Sequence, residues 1–222
     1  MFGKLLAMIG TFAVGYLVGS VNLSILVTKY IGKFDIHTKG SGNAGGTNVI
    51  RTMGAKWGVP VIVLEMSKAF VVGLVAKFAF PADIFGLDGP GAYTGAVISG
   101  VVAVFGCLLG NKFPCFHGFK GGKGVATLGA LLAVLDCRVF LLLALFFIVF
   151  LISHMVSLSS IAAAISVPIF VAIVYWGQPY FWVLVLLTAA MSGFVIWNHH
   201  ANIVRILHGQ ENKFQFGKKK NG

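Results

Sequence analysis

Long apolar runs broken by short polar, glycine-rich segments dominate the pattern of this chain. A membrane-crossing helix needs about 20 mostly apolar residues. By that measure spans are predicted near 5–27, 58–79, 92–110, 139–156, 160–176 and 180–197. A shorter apolar stretch near 122–135 ends at Asp136-Cys137-Arg138 and either crosses or merges with its neighbour. The first run is longer than the usual signal-peptide core of about 7–15 residues, and no clear small-residue cleavage site ends it. It is expected to be a retained transmembrane helix.

Charge settles the ambiguous stretch. Lys29, Lys33, Lys39, Arg51 and Lys56 fall in 28–57, and Lys112, Lys120 and Lys123 in 111–123. Arg205, Lys213, Lys218, Lys219 and Lys220 follow the last span. The intervening side holds only Lys4, Lys77 and Arg138, with Asp83, Asp88 and Asp136. The positive-inside rule puts the three basic groups in the cytoplasm. That arrangement needs an even number of crossings between successive groups, so 122–135 must cross. The expectation is one all-α polytopic membrane domain of seven helices, N-terminus outside and C-terminus cytoplasmic. Turns at Gly89-Pro90-Gly91 and Gly177-Gln178-Pro179 would lie on the outer face, and the tail from Asn212 is expected to fray.

Composition agrees with a membrane class. The 222 residues are 58% hydrophobic and only 10% charged, against about 25% charged in soluble domains. The net charge of +11 sits in short loops between apolar spans. It therefore forms no solvated nucleic-acid face and suits anionic lipid headgroups better. Cys107, Cys115 and Cys137 are too scattered for a disulfide framework or paired metal ligands, and serve as small apolar fillers.

Three cytoplasmic segments carry chemistry that lipid-embedded helices do not need. In 39–51, Gly40, Gly42, Gly45 and Gly46 interleave with Ser41, Asn43, Thr47, Asn48 and Arg51. Glycines let backbone amides turn toward an anion, hydroxyls add donors, and an arginine clamps phosphate in two-pronged fashion. No Gly-Lys-Ser/Thr closes this loop, so nucleotide hydrolysis is not supported. In 110–127, Phe119-Lys120-Gly121-Gly122-Lys123-Gly124 leads into the short fourth span, where a helix N-terminus would reinforce two lysines as an anion site. In 197–211, His199, Asn202 and Arg205 recur at steps of three and share a face if helical. His199 suits general-base or hydroxyl-orienting work, with Asn202 beside it. His200 and His208 lack a carboxylate or thiolate to complete a metal site, so no metal is expected. Glu65 and Lys68 lie one turn apart at membrane depth, where charges face the interior and pair. Ser153, Ser157, Ser159 and Ser160 crowd a turn that lacks Lys and Arg, so their hydroxyls suit the same site.

Taken in order, these motifs resemble the bacterial acyl-phosphate:glycerol-3-phosphate acyltransferase family, the PlsY type. The likeness extends to Gly15-Tyr16-Leu17-Val18-Gly19-Ser20, Glu65-Met66-Ser67-Lys68, Ser157-Leu158-Ser159-Ser160 and Gly209-Gln210-Glu211, and so covers nearly the whole chain. It implies transfer of a fatty acyl group from acyl phosphate to the sn-1 hydroxyl of glycerol 3-phosphate, the first step of phospholipid synthesis, at the bacterial inner membrane. It implies no cofactor and no metal. The partners are the two substrates and membrane lipid, not nucleic acid, and a monomer is the expectation. Ser41, Thr47, Arg51, Lys120 and Lys123 match phosphate-holding positions, with Gly42, Asn43 and Asn48 in the same loop. Ser157 or Ser160 matches a further ligand more loosely, and His199 and Asn202 match the pair beside the glycerol. Catalysis would then rest on His199, Asn202, Ser41, Arg51 and Lys123. The chain departs from the family pattern at Asn111 (usually His), Glu65 (Asp), Ala69 (Gly), His37 (Arg), His200-Ala201 (Arg-Glu) and Asn22 (near a usual Pro). None of these removes a core donor. A transporter of an anionic phosphorylated metabolite is the alternative, but it predicts polar residues along a full path, whereas the donors cluster on one face.

Overall fold

The computed structural model describes residues 2–79, 91–135 and 137–214. Asp83, Asp88, the Gly89-Pro90 part of the first outer turn, Asp136 and Lys218 to Lys220 lie outside the described residues. Within them the chain is helical, with no strand. The helices are α1 (Phe2–Ser20), α2 (Leu23–Tyr30), α3 (Gly46–Met53), α4 (Ala55–Ala79), α5 (Gly91–Lys112), α6 (Val125–Gly129), α7 (Leu131–Val134), α8 (Phe140–Ser153), α9 (Val156–Val174), α10 (Phe181–Trp197) and α11 (His200–Leu207).

Among the described residues, four stretches are long and apolar enough to cross a bilayer: Leu5–Tyr30, Ala55–Ala79, Gly95–His117 and Val156–Val174. A fifth is available if α10 and α11, which meet at a 60° bend, count as one. The stretch expected at 122–135 is not a continuous helix. Gly129 and the tight turn at Ala130, whose N–H bonds back to the Thr127 carbonyl at 3.0 Å, divide it into α6 and α7. The nine helical residues between 125 and 134 span at most about 15 Å, against about 30 Å of hydrocarbon. Likewise α8 has 14 residues, about 21 Å of helix. Outward faces are apolar, as at Ile152, Ile173 and Phe78. Trp176 and Trp182 crowd the α9–α10 turn beside Gly177, as aromatic side chains do at a membrane boundary.

The first span is broken where hydropathy runs on without interruption. Ser20 ends α1, and Asn22 caps α2 by accepting the Ile25 N–H at 3.1 Å. A break inside a membrane leaves backbone groups that must find partners within the protein. The Glu65–Lys68 pair of α4, joined at 2.8 Å, supplies them. Glu65 Oε1 accepts the Leu23 N–H at 2.6 Å, and Lys68 donates to the carbonyls of Gly19 and Val21. Glu65 Oε2 also accepts from Asn111 Nδ2 at 2.9 Å. The brace reaches both loops above it: Asn22 Nδ2 donates to the Ala44 carbonyl at 3.3 Å, and the Asn111 carbonyl accepts from the Gly122 N–H at 3.0 Å.

Helix α5 runs through the centre, with Val97, Ile98, Val101, Val104, Cys107 and Leu108 wholly buried. Its contact with α1 is made by two facing pairs of glycines four apart, Gly15 and Gly19 against Gly106 and Gly110. A β-carbon at Gly19 would stand 2.1 Å from the Cys107 carbonyl oxygen, and one at Gly110 would stand 2.0 Å from that of Tyr16. Small residues at this spacing let two membrane helices touch backbone to backbone. Gly110→Val is therefore expected to cost about 1–3 kcal/mol or more, as overpacking does, and to lower the thermal midpoint in detergent. Gly193→Ala on α10, where a β-carbon meets nothing within 4 Å, is expected not to lower it. Equal midpoints for the two variants would refute the close-packed seam.

Candidate active site

The site assembles at the end of the bundle where α5, α9 and α10 give way to loops. In the first segment, Gly40 and Gly42 take left-handed backbone conformations, φ 63° and 69°, and fold the loop back onto α3. Asn48 holds it there. Its Oδ1 accepts the Ser41 N–H at 2.8 Å, and its Nδ2 donates to the carbonyls of Lys39 (3.0 Å) and Ile36 (3.3 Å). Asn48 is buried and its amide is committed to the loop. No side chain caps α3 at Gly45, so the first-turn amides at Gly46 and Thr47 carry the partial positive charge of a helix start. Ser41 and Arg51 are exposed, and Gly42, Asn43 and Thr47 are half-buried beside them.

The second segment packs on the first. A β-carbon at Gly122 would lie 2.7 Å from the Ala44 carbonyl oxygen. The helix that follows has five residues, too few for much of a dipole, so the charge here is that of the lysines. They separate. Lys123 Nζ donates to Asn202 Oδ1, a residue 79 positions away. Lys120 instead lines a different cavity with Lys29, Lys33 and His117.

The third segment is helical, as its spacing predicts. His199 sits at the bend before α11, and Asn202 is buried on that helix. The centre of the cluster is Glu211, from the chain beyond α11. Its Oε1 accepts from Ser157 Oγ at 2.8 Å and Asn202 Nδ2 at 2.7 Å, and its Oε2 from Arg205 Nε at 2.8 Å. Ser160, one turn deeper in α9, donates to the Val156 carbonyl of its own helix. His200 and His208 likewise spend Nδ1 on carbonyls of their own segment, those of Trp197 and Val204.

Cations gather here: Lys123 feels Glu211, Arg205, Lys112 and Arg51 together, and Arg51 feels Glu211 and Arg205. Burial, with Arg205, Lys112 and Arg51 pressing the same way and Glu211 opposing, pushes the Lys123 ammonium down to about 8. Burial would raise the Glu211 carboxyl, but the bonds from Ser157, Asn202 and Arg205 hold it below the usual carboxylate value. Burial takes the His199 imidazole down to about 4, although the bond to the Val195 carbonyl favours the protonated ring. His199 is therefore neutral near pH 7. A carbonyl can only accept, so Nδ1, 2.7 Å from the Val195 oxygen, carries the ring proton and Nε2 keeps its lone pair. The arrangement offers cations and a helix start for anionic groups, and a neutral nitrogen acceptor for a hydroxyl. Lys112 and Glu211 were not among the site residues expected from sequence. The signals for them were the place of Lys112 in the basic group 111–123 and that of Glu211 in the Gly209-Gln210-Glu211 likeness, neither of which states a role.

A profile of the glycerol-3-phosphate acyltransferase family matches residues 9–209. A glycerol-3-phosphate acyltransferase of Clostridioides difficile strain 630 is 40% identical over 208 residues, covering 93% of this chain and 94% of that protein. One from Allorhizobium ampelinum is 35% identical over 214 residues, covering 96% and 94%. Among solved structures, the integral membrane glycerol 3-phosphate acyltransferase PlsY in its glycerol 3-phosphate form superposes with a TM-score of 0.78 at 33% identity, covering 96% of both chains. Its lysophosphatidic acid form gives a TM-score of 0.75, with the same identity and coverage. With the profile spanning nine-tenths of the sequence and the fold matching end to end, the chain belongs to the glycerol-3-phosphate acyltransferase family.

Proposed function

We propose that the protein transfers a fatty acyl group from acyl phosphate to the sn-1 hydroxyl of glycerol 3-phosphate. The observation that carries this reading is the meeting of all three polar segments around Lys123, Asn202 and Glu211, in a member of this family. The donor is a mixed anhydride with a good leaving group, so no covalent enzyme intermediate is required. The hydroxyl oxygen forms a bond to the acyl carbon, the carbon–oxygen bond to phosphate breaks, and the phosphate leaves with the electron pair. Lys123 stabilises charge growing on the departing phosphate. Arg51, Ser41 and the amides of Gly42 to Thr47 hold the second phosphate and fix the distance between the reactants. His199 Nε2 accepts the hydrogen bond of the attacking hydroxyl and orients it. A ring with a pKa near 4 is a poor final holder of the proton, which passes to the released phosphate. Asn48 shapes the loop, and Ser157 acts beside Glu211, whereas Ser160 stays within its helix.

The same reading sets the topology: seven crossings, N-terminus outside, the site on the cytoplasmic face of a bacterial inner membrane. Lys123 bonds to Asn202, so both belong to one face. Three helices, α8, α9 and α10, separate them, and an even number of crossings is needed. The stacked pair α6–α7 is the fourth, completing its crossing with residues in turns at either end. One chain supplies every group used, which suits a monomer.

The test is turnover by purified protein in lipid mesophase, supplied with palmitoyl phosphate and glycerol 3-phosphate. Equal amounts of phosphate and lysophosphatidic acid are expected, with both lost in Arg51→Ala. Flux of glycerol 3-phosphate into proteoliposomes without turnover would make the site a transport site instead.

A further inference from the structure

A second cationic basin lies apart from the cluster around Glu211. A cavity of about 640 Å³ is lined by Lys29, Lys33, Lys120, His37 and His117, with Asp35 as its only carboxylate. Asp35 is already engaged, because its Oδ1 accepts the His37 N–H at 2.9 Å. None of the three lysines is ion-paired with a described carboxylate. No residue lining this cavity is among those gathered at Glu211, so the proposed reaction leaves it unused. Three lysines against one carboxylate that pairs with none of them leave net positive charge around a concave space, which favours an anion from outside the chain.

The surroundings say which kind. Lys29 lies in the last turn of α2, at the end of the Leu5–Tyr30 span. Phe116, which lines the cavity, is 59% exposed, and Tyr30 (61%) and Ile31 (49%), next to Lys29 in the chain, are exposed as well. Phe34 and Ile25 add apolar wall inside. Aromatic rings with lysines at the end of a span match the headgroup layer of a bilayer. A soluble anion needs no such rim. The volume lies within the range of about 300–1,000 Å³ that takes a whole small molecule, enough for a headgroup with its glycerol.

We propose that this cavity is a docking site for the phosphate headgroup of an anionic bilayer phospholipid, distinct from the reaction centre and presented from the cytoplasmic leaflet. The lipid phosphate sits among Lys29, Lys33 and Lys120, and its glycerol and first methylenes lie against Phe116 and Phe34.

The experiment uses the full chain in neutral detergent, titrated with dioleoylphosphatidylglycerol or dioleoylphosphatidylcholine, and counts bound lipid by native mass spectrometry. The wild type is expected to retain one phosphatidylglycerol in preference to phosphatidylcholine. Lys29→Gln with Lys33→Gln is expected to weaken that binding roughly thirtyfold, at about fivefold per interfacial lysine. Lys29→Arg with Lys33→Arg keeps the charge and should keep the lipid, which separates loss of the site from loss of the fold. Lys56→Gln with Lys213→Gln removes the same net charge elsewhere and should also keep it. Phe116→Ser, which leaves every charge in place, should weaken the lipid. The proposal is overturned if the glutamine pair retains phosphatidylglycerol as the wild type does, or if the two lipids bind alike. It is equally overturned if inorganic phosphate at equal concentration displaces the lipid, since the cavity would then take a free anion.

Discussion

Lys123→Met is expected to lower turnover by about 10²–10³-fold, the loss seen when one preorganised donor to a developing anion is removed. The side chain is partly buried and held by Asn202, so its ammonium is fixed in place before substrate arrives. Methionine keeps the length and apolar stem, and the loss then reports the charge. The pH dependence has a definite sign. Burial brings this ammonium down to about 8, so the charged form is present below that pH and disappears as pH rises through it. Wild-type kcat should fall on the alkaline side with a midpoint near 8. Lys123→Arg, whose charge persists, should lose that limb while keeping measurable activity. No limb at 6.5 is expected from His199, already neutral there with a pKa of about 4. An alkaline limb unchanged in Lys123→Arg would remove Lys123 from the reaction centre.

The second large effect is at Glu211. Removing its charge leaves Lys123, Arg205 and Arg51 near one another without that counter-charge, and leaves Ser157 and Asn202 without their acceptor. Leaving buried donors without their acceptor costs about 1–3 kcal/mol, and loss of the half-exposed Arg205 partner adds less. Glu211→Ala is therefore expected to unfold at clearly lower temperature and to be inactive. Glu211→Gln separates the electrostatic part from the structural one. Its amide keeps the shape and one acceptor oxygen but no longer favours the Lys123 ammonium, which Glu211 holds up. The alkaline limb should shift to lower pH. A Glu211→Gln protein with reduced rate but an unmoved limb would leave Glu211 as a tie between segments and nothing more.

Much of this was legible in one dimension because membrane helices and glycine-rich anion loops both write local patterns. Lys123 and Asn202 are 79 positions apart, yet charge parity already put their segments on one face. The pairing of Glu65 with Lys68 followed from their cost at membrane depth. Other features were invisible for physical reasons. Hydropathy averages over a window and passes across Asn22, so the break between α1 and α2 does not register. Gly15, Gly19, Gly106 and Gly110 have the spacing in plain view, but their facing one another is a property of two helices and not of either. Glu211 enters the site because the chain turns back after α11 and docks, with the Phe214 N–H on the His154 carbonyl at 2.7 Å. No periodicity announces such a return. Two departures from the family pattern also become one. Glu65 is a methylene longer than the usual aspartate, Asn111 is shorter than the usual histidine, and the two meet at 2.9 Å.

The position of Glu211 has a further consequence for how the molecule comes into being. Every described helix precedes it in the chain, and so do Lys123, Arg51 and Arg205, whose charge it opposes. During synthesis the bundle can enter the bilayer while those cations still repel one another and Asn202 lacks its carboxylate. Competence arrives afterward, when the emerging segment folds back onto the start of α9. If Glu211→Ala is inactive as expected, insertion and the power to react are separate events in time, and the scaffold is complete before the site is.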